Sequence, residues 1–564
     1  MKLYTKQHSN WLLLGIMLIG TVLRLYKLDS IPAGLYQDET AIGYNAYSIL
    51  ETGKDEHGVT LPLYFKSFGD YKLPVYMYLT AVSEALLGIN PFAVRITSAL
   101  FGIAAIICLY LTVKQLFSTS IALASSLMLA LNPWHIFFSR AAMEVNVATT
   151  VSLMGLLCLL IARKKQSILL ILVSMILFLV SSYTYNVYRL LGPLLFVCFS
   201  ILFLKDYRRV TPVVLYGVFL LFAILLAPLF ISFFSGTVFT HQQTEFITGG
   251  HTFARILEFK SYVFENTPEL SKIFFNKWFL FAWEYMKNLI GFFSVNFFFL
   301  TGDEEGHFGT GNTGMFHLIE VLFIPTALVV LIQKKIRSAQ PFLLWALITI
   351  LLVSLTKETP HATRSFALVV PMSMFSGYGL VWFWQLLRTI RVPWLRYGSI
   401  IGLFSLYLYS IVFFLVSYFF RFSAVYARQW RVADRALVTY LSEIQSNYER
   451  IVIDKKVDLA YTSLLFYVPI SPGAFHRNQH FEPDGQLLQL VATNPYEFRP
   501  VIWEREQLDK KTLYVSHPSL VPAGIAPIKT IVYPTRPIVV FFDGKFGQYP
   551  ITDIAFGLYE LGNK

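Results

Sequence analysis

Up to about residue 420 the chain alternates long apolar runs with short charged or turn-rich connections. A bilayer core of roughly 30 Å takes about 20 apolar residues in a helix, because no water is there to satisfy the backbone amides. Runs of this kind fall at Trp11–Leu28, Pro91–Val113, Ile121–Phe138, Ala142–Ala162, Ser167–Tyr183, Leu190–Leu204, Thr211–Phe234, Met315–Ile332, Pro341–Thr356, Phe366–Leu387 and Tyr397–Phe420. The pattern predicts a polytopic α-helical membrane protein with about 11 transmembrane helices. Lys277, Glu284 and Lys287 interrupt the aromatic stretch Ile273–Leu300, which therefore reads as helices at the interface and not as a span.

Beyond Phe420 the period changes. Short β-branched or aromatic runs, "RIVIDK" from Arg450, "RPVIWE" from Arg499, "TLYVSH" from Thr512, "TIVYP" from Thr530 and "IVVFFDG" from Ile538, alternate with helix-like pieces such as Ala436–Ile444. These predict a small α/β domain over 421–564, after a transmembrane domain over 1–420 that carries two large loops, 29–90 and 235–314. In the first loop, "TAIGYNAYSILETG" places Ile42, Ala46 and Ile49 on one helical stripe, with Gly53 as the stop and Asp38-Glu39 at the N-terminal end. An amphipathic helix along the outer membrane surface is expected there.

Composition agrees: 55% of residues are hydrophobic and 14% charged, against about a quarter charged in ordinary soluble domains. The net charge of +12 raises nucleic acid as a partner, but the distribution of the bases excludes it. Lys2 and Lys6, Lys114, Arg163-Lys164-Lys165, Lys205 with Arg208 and Arg209, Lys334-Lys335-Arg337, and Arg388, Arg391 and Arg396 fall in alternate connections, which marks those as cytoplasmic. The N-terminus is then cytoplasmic, and the tail is extracytoplasmic on a plasma membrane. Arg24, Leu25 and Tyr26 make a poor signal-cleavage site, so the first run is expected to remain as an uncleaved anchor. Cys108, Cys158 and Cys198 all lie in apolar runs and read as packing residues.

Six acids, Asp38, Glu39, Glu51, Asp55, Glu56 and Asp70, crowd the first outer loop. Carboxylates before a first helical turn cap it and offset the dipole; a carboxylate at the outer face is equally suited to act as general base toward an acceptor hydroxyl or amine. Lys72 in "GDYKLPVYMYL" stands before an aromatic run, where its ammonium would either snorkel to lipid phosphates or pair with the phosphate of a lipid-linked donor.

Together, "DETAIGYNAYSILETG" and "GDYKLPVYMYL" resemble the first outer loop of GT-C superfamily glycosyltransferases, in particular the aminoarabinose transferases of lipid A and the protein O-mannosyltransferases. The second motif departs from the family's usual lysine-proline-proline, reading Lys72-Leu73-Pro74. The resemblance implies a GT-C fold, Asp38 as catalytic carboxylate with Glu39 assisting, and Lys72 on the polyprenyl phosphate. In "FSRAAMEVN", Arg140 and Glu144 match a serine-arginine and downstream acid of the family, and in "KETPHATRSFALVVP", His361 and Arg364 match its late basic pair. Arginine suits phosphate oxygens through its planar fork, although an interfacial anchor or an ion pair would use the same residue. Asp55, Asp70, Tyr71 and Glu144 are further candidates. Some aminoarabinose transferases hold a metal with a glutamate just before the lysine, where Tyr71 stands here. A divalent cation is allowed for but not required, and no cofactor is indicated. His57, His241, His251, His307 and His317 have no ligand spacing, and Asp303, Glu304 and Glu305 read as a solvated acidic turn.

The implied function is inverting transfer of a sugar, hexose or pentose, from a polyprenyl-phosphate donor to a cell-envelope acceptor (protein, lipid or glycan) on the outer face. The tail is expected to bind acceptor. A lipid or polysaccharide transporter or flippase is the alternative; it predicts ionisable residues deep in spans and an inverted repeat, whereas the candidate charges cluster at the outer ends.

Overall fold

The computed structural model describes residues 6–68, 70–207, 210–234, 246–247, 276–304, 306–457, 459–484, 487–506, 511–533, 536–542, 545–551 and 553–560. Each of the eleven apolar runs lies on helix: Lys6–Leu25 (α1), Pro91–Leu116, Thr119–Leu131 with Pro133–Ser139, Glu144–Lys165, Ile168–Ser182, Tyr188–Phe203, Pro212–Phe234, Glu320–Gln333, Gln340–Val353, Val369–Thr389 and Pro393–Val416. Among the described residues seven helices are long and apolar enough to cross a membrane, or eight if the pair bent by 59° at Asn132 is one span; three shorter apolar helices account for the other expected runs. The protein is thus a polytopic helical membrane protein with a sheet-containing C-terminal part. Of the uncertain stretch 273–300, Lys277–Gly291 and Asn296–Leu300 are helical; residues 273–275, His241 and His251 lie outside the described residues.

The chain divides into two compact units that do not follow chain order: Met1–Tyr26, Ser98–Ser139 and Met143–Phe414 form the first, and Lys27–Thr97, Arg140–Ala142 and Leu415–Lys564 the second. In the first, Glu144–Lys165 packs on Ile168–Ser182, and Val369–Thr389 packs on Thr119–Leu131 and Glu320–Gln333. Several of its buried hydroxyls are satisfied within the bundle, as an apolar solvent favours. Thr149 Oγ1 donates to Val145 O one turn back, and Tyr188 OH donates to Thr149 Oγ1 at 2.9 Å. The bend follows from Pro133, which cannot continue the helix ladder. Asn132 holds it: Oδ1 accepts from His135 N (2.8 Å) and Nδ2 donates to Met315 O (3.1 Å).

The second unit begins with α2 (Gln37–Thr52), the strands β1 (Phe65–Ser67) and β2 (Asp70–Lys72), α3 (Pro74–Leu87) and the first residues of α4 (Pro91–Leu116). The remainder is built around the strands β3 (Arg450–Asp454), β4 (His480–Asp484), β5 (Leu487–Thr493), β6 (Tyr496–Arg499), β7 (Thr512–Ser516), β8 (Lys529–Val532), β9 (Arg536–Phe542), β10 (Lys545–Ile551) and β11 (Ile554–Glu560). A seven-stranded mixed sheet has the order β4-β5-β6-β3-β7-β11-β8, and β9-β10 form a separate hairpin. β3 pairs in parallel with both β6 and β7, and it is buried at every position after Arg450, as a central parallel strand should be. Helix Val432–Ile444 presents Ala433, Leu437, Val438 and Leu441 to this core on a helical stripe.

Two expectations need correction. The strand in "RPVIWE" ends at Arg499 instead of beginning there, because Pro500 has no amide to donate to a ladder. And α2 is not a surface helix. It stops at Gly53, whose φ of 69° favours glycine, as read from the sequence. However, Glu39 through Ala46 are all buried, with α2 packed against α3 and helices Tyr461–Tyr467 and Pro472–Asn478. Its polar positions imitate a solvent face because they are satisfied by protein, as where Asn45 Oδ1 accepts from Glu56 N at 3.0 Å.

Gly43 marks how close that packing is. A Cβ there would stand 2.3 Å from the buried ring of Phe466 and 3.0 Å from Val94. Gly43→Val should therefore cost about 1–3 kcal/mol by overpacking, visible as a lower melting temperature in detergent; an unchanged melting temperature would show that α2 does not pack as described.

Candidate active site

The first turn of α2 carries two adjacent carboxylates in opposite environments. Glu39 is fully buried, and so is Arg95, one turn into α4. Arg95 donates Nε to Glu39 Oε1 and Nη2 to Oε2, both at 2.9 Å, a bidentate fork. Ala142 N adds a bond to Oε1 (2.9 Å) and Tyr36 N one to Oε2 (3.3 Å), the latter satisfying the N-cap amide of α2. The guanidinium also reaches Leu28 O (3.2 Å), Pro32 O (2.9 Å) and Gly34 O. Four donors thus surround the carboxylate, and one residue ties the segment 28–34 to α2.

Asp38, one residue earlier, stays 30% exposed, with Oδ2 3.0 Å from Lys72 Nζ, itself 12% exposed. Lys72 is held from both sides. It ends β2, whose antiparallel register sets Lys72 against Phe65, Tyr71 against Lys66 and Asp70 against Ser67. Leu73 then caps α3, with Pro74 as its first residue, where the missing amide is not needed. Lysine-leucine-proline is a strand-to-helix junction that fixes the lysine's Cα. An ion pair this exposed contributes on the order of 1 kcal/mol or less to stability. It is available for chemistry in a way that Glu39–Arg95 is not.

The other expected residues of this unit are engaged locally. Arg140 is fully buried; its Nη2 donates to Lys27 O (3.3 Å) and Ile31 O (3.0 Å), and its guanidinium lies over the rings of Phe419 (4.8 Å) and Tyr418 (5.5 Å). Asp55 Oδ1 accepts from His57 N and Val59 N, closing a turn. Beside it, buried Glu56 accepts from Tyr461 OH (3.2 Å), and His476 Nε2 meets Asp55 O at 2.7 Å. Burial pushes the Glu56 carboxyl up to about 8 and the His57 ring down to about 4. Tyr71 is half-buried.

Glu144, His361 and Arg364 belong to the first unit. Glu144 opens the helix Glu144–Lys165. His361 caps the helix Ala362–Ser365, with Nδ1 accepting from Thr363 N at 3.2 Å, and burial lowers it to about 3, so it is a neutral ring there. Arg364 donates to Lys357 O (2.8 Å) and lies 3.7 Å from Glu358. Asp303 is buried and accepts from Ala362 N (3.3 Å) instead of facing solvent, and His317 is buried between Leu131 O and Ser410; Glu305 lies outside the described residues. Among the described residues no three His, Cys, Asp or Glu side chains are grouped to hold a metal ion, so no metal site is built from them. The residue that sequence reasoning missed is Arg95. Its signal was an arginine placed one turn inside an apolar run, a position that demands a buried partner.

Residues 71–231 match the family model of dolichyl-phosphate-mannose-protein mannosyltransferase. The fold matches that of ArnT from Cupriavidus metallidurans bound to undecaprenyl phosphate, with a TM-score of 0.54 and 13% identity over 99% of this chain and 100% of the other. ArnT from the same organism in the apo state matches with a TM-score of 0.50 and 14% identity, over 82% of this chain and 85% of the other. No curated protein matches the chain. The chain thus shares the fold of ArnT, and residues 71–231 are similar to the protein mannosyltransferases.

Two outcomes test this geometry. Arg95→Met leaves Glu39 buried and uncompensated, which should cost about 3–5 kcal/mol in denaturant unfolding; a loss below about 1 kcal/mol would mean that the pair is not buried. Glu56, with its proton held more tightly in the folded state, contributes stability that is full below the ordinary carboxylate range and lost as pH rises through about 8. Glu56→Gln should flatten that alkaline loss of melting temperature, and a slope equal to wild type would contradict the assignment.

Proposed function

We propose that this protein is a membrane glycosyltransferase that moves a sugar from a polyprenyl-phosphate donor to a cell-envelope acceptor on the outer face of the membrane. The observation that carries the reading is the partly exposed pair Asp38–Lys72 at 3.0 Å, a carboxylate suited to act as general base beside a cation suited to a phosphate, next to a locked Glu39–Arg95 pair. The fold shared with an ArnT that binds undecaprenyl phosphate supports a lipid-linked donor, and the mannosyltransferase family match supports transfer of a sugar. The distribution of the basic loops supports an N-terminus in the cytoplasm and residues 421–564 outside.

In this reading the donor phosphate takes Lys72, which frees the Asp38 carboxylate from its partner. Asp38 then accepts the proton of an acceptor hydroxyl or amine as that group attacks the anomeric carbon, while the glycosyl–phosphate bond breaks and the polyprenyl phosphate leaves as an anion held by Lys72. Attack from the side opposite the leaving group inverts the configuration. Glu39 has every acceptor site filled, so it acts as a positioning residue and not as a second base. Arg140, turned onto carbonyls and rings, supports the 27–31 segment in preference to the phosphate.

Asp38→Asn keeps the shape and removes the base, so turnover of radiolabelled undecaprenyl-phosphate sugars by the purified protein should fall about 10²- to 10⁴-fold. Lys72→Ala should chiefly raise KM for the lipid donor. Near-normal turnover in Asp38→Asn, or an unchanged donor dependence in Lys72→Ala, would remove the residue from its role.

A further inference from the structure

The C-terminal part of the chain reaches the first turn of α2 at successive positions. Trp430 sets its ring against Tyr36 in an edge contact, with centroids 5.5 Å apart. Arg431 Nη2 donates to Gln37 Oε1 at 3.1 Å. Thr40 Oγ1 and Thr462 Oγ1 share a hydrogen bond of 2.8 Å in which either can donate, and both hydroxyls reach Gln37 O, at 3.0 Å and 3.5 Å. Thr462 is fully buried in helix Tyr461–Tyr467. Glu39 is meanwhile locked by Arg95 and Ala142.

The flanks of Asp38 are therefore fastened to protein, with Gln37 and Thr40 bound by residues some 400 positions later in the chain. The contacts continue along α2. Tyr44 OH donates to Ile470 O (3.2 Å), and Tyr44 shares one hydrophobic cluster with Leu464, Phe475 and the sheet residues Ile451, Ile453 and Val515.

The geometry points to Thr462 and Arg431 as positioning residues for the transfer reaction. The C-terminal segment 430–462 sets the height and rotation of the α2 first turn, and through it the direction of the Asp38 carboxylate. This rests on the reading of Asp38 as general base. It assigns the tail a part in building the reaction centre, beyond any binding of acceptor. A hydroxyl–hydroxyl bond at that point is a fine adjustment, and misplacement of a base by about 1 Å costs on the order of 10²-fold in rate.

The test uses full-length protein in proteoliposomes, a panel of radiolabelled undecaprenyl-phosphate sugars, and delipidated cell envelope as acceptor. Thr462→Val, which keeps the shape and removes the hydroxyl, should lower kcat by about tenfold with KM for the lipid donor within about twofold of wild type. Thr462→Ser, which keeps the hydroxyl, should restore kcat, and Arg431→Gln should act in the same direction as Thr462→Val. Unchanged kcat in Thr462→Val overturns the inference while leaving the transferase reading intact. A fall in kcat that Thr462→Ser fails to restore, or that comes with an equal weakening of donor KM, shows general damage and overturns it too. A wild type that transfers none of the sugars overturns the reading of Asp38 beneath it.

Discussion

The ion pair between Glu39 and Arg95 is the constraint from which the rest of the candidate site follows. Two charges without exposure carry a desolvation cost of several kcal/mol each, and the arrangement holds only because the carboxylate receives four donors and the guanidinium three further carbonyls. Such a pair tolerates one geometry. It brings together the α2 first turn, the segment before it, the start of α4 and the backbone at Ala142, so the neighbouring residue can point in only a narrow range of directions. Asp38 is that neighbour.

Two carboxylates one residue apart thereby acquire separate tasks from their surroundings, a division that acid–base sites use repeatedly. Buried and saturated, Glu39 serves as an anchor. Half-exposed and joined to a single lysine, Asp38 keeps an oxygen that a substrate can reach. Lys72 needs its own support, and the β1-β2 hairpin with Pro74 supplies it from local sequence alone. The C-terminal segment 430–462 adds a third layer of support through Trp430, Arg431 and Thr462.

Much of this was legible in the chain. All eleven apolar runs became helices, because the bilayer's demand for satisfied amides leaves a strong one-dimensional signature. Strands β3, β7, β8 and β9 were visible as β-branched runs. Strands β4, β5, β6, β10 and β11 were not: β4 and β10 contain a proline and β6 alternates with charged residues, whereas β5 and β11 are apolar runs that sequence reasoning missed. At the site, Asp38 and Lys72 were each singled out by the motifs at their positions, but not as each other's partner. What could not be read was which acid of "DET" would be sequestered, because that depends on Arg95, which lies 56 positions away. The burial of α2 was hidden for a similar reason: Glu39, Thr40, Asn45 and Ser48 look like a wet face until their partners are known.

Donor binding as proposed requires Lys72 to exchange Asp38 for a lipid phosphate. A cryo-EM structure of the full-length protein in nanodiscs with undecaprenyl phosphate tests it most directly. The phosphate is expected within about 3 Å of Lys72 Nζ, with the Asp38 carboxylate released from the lysine and Glu39–Arg95 unchanged. A phosphate bound away from Lys72, with the Asp38–Lys72 pair still closed, would contradict it.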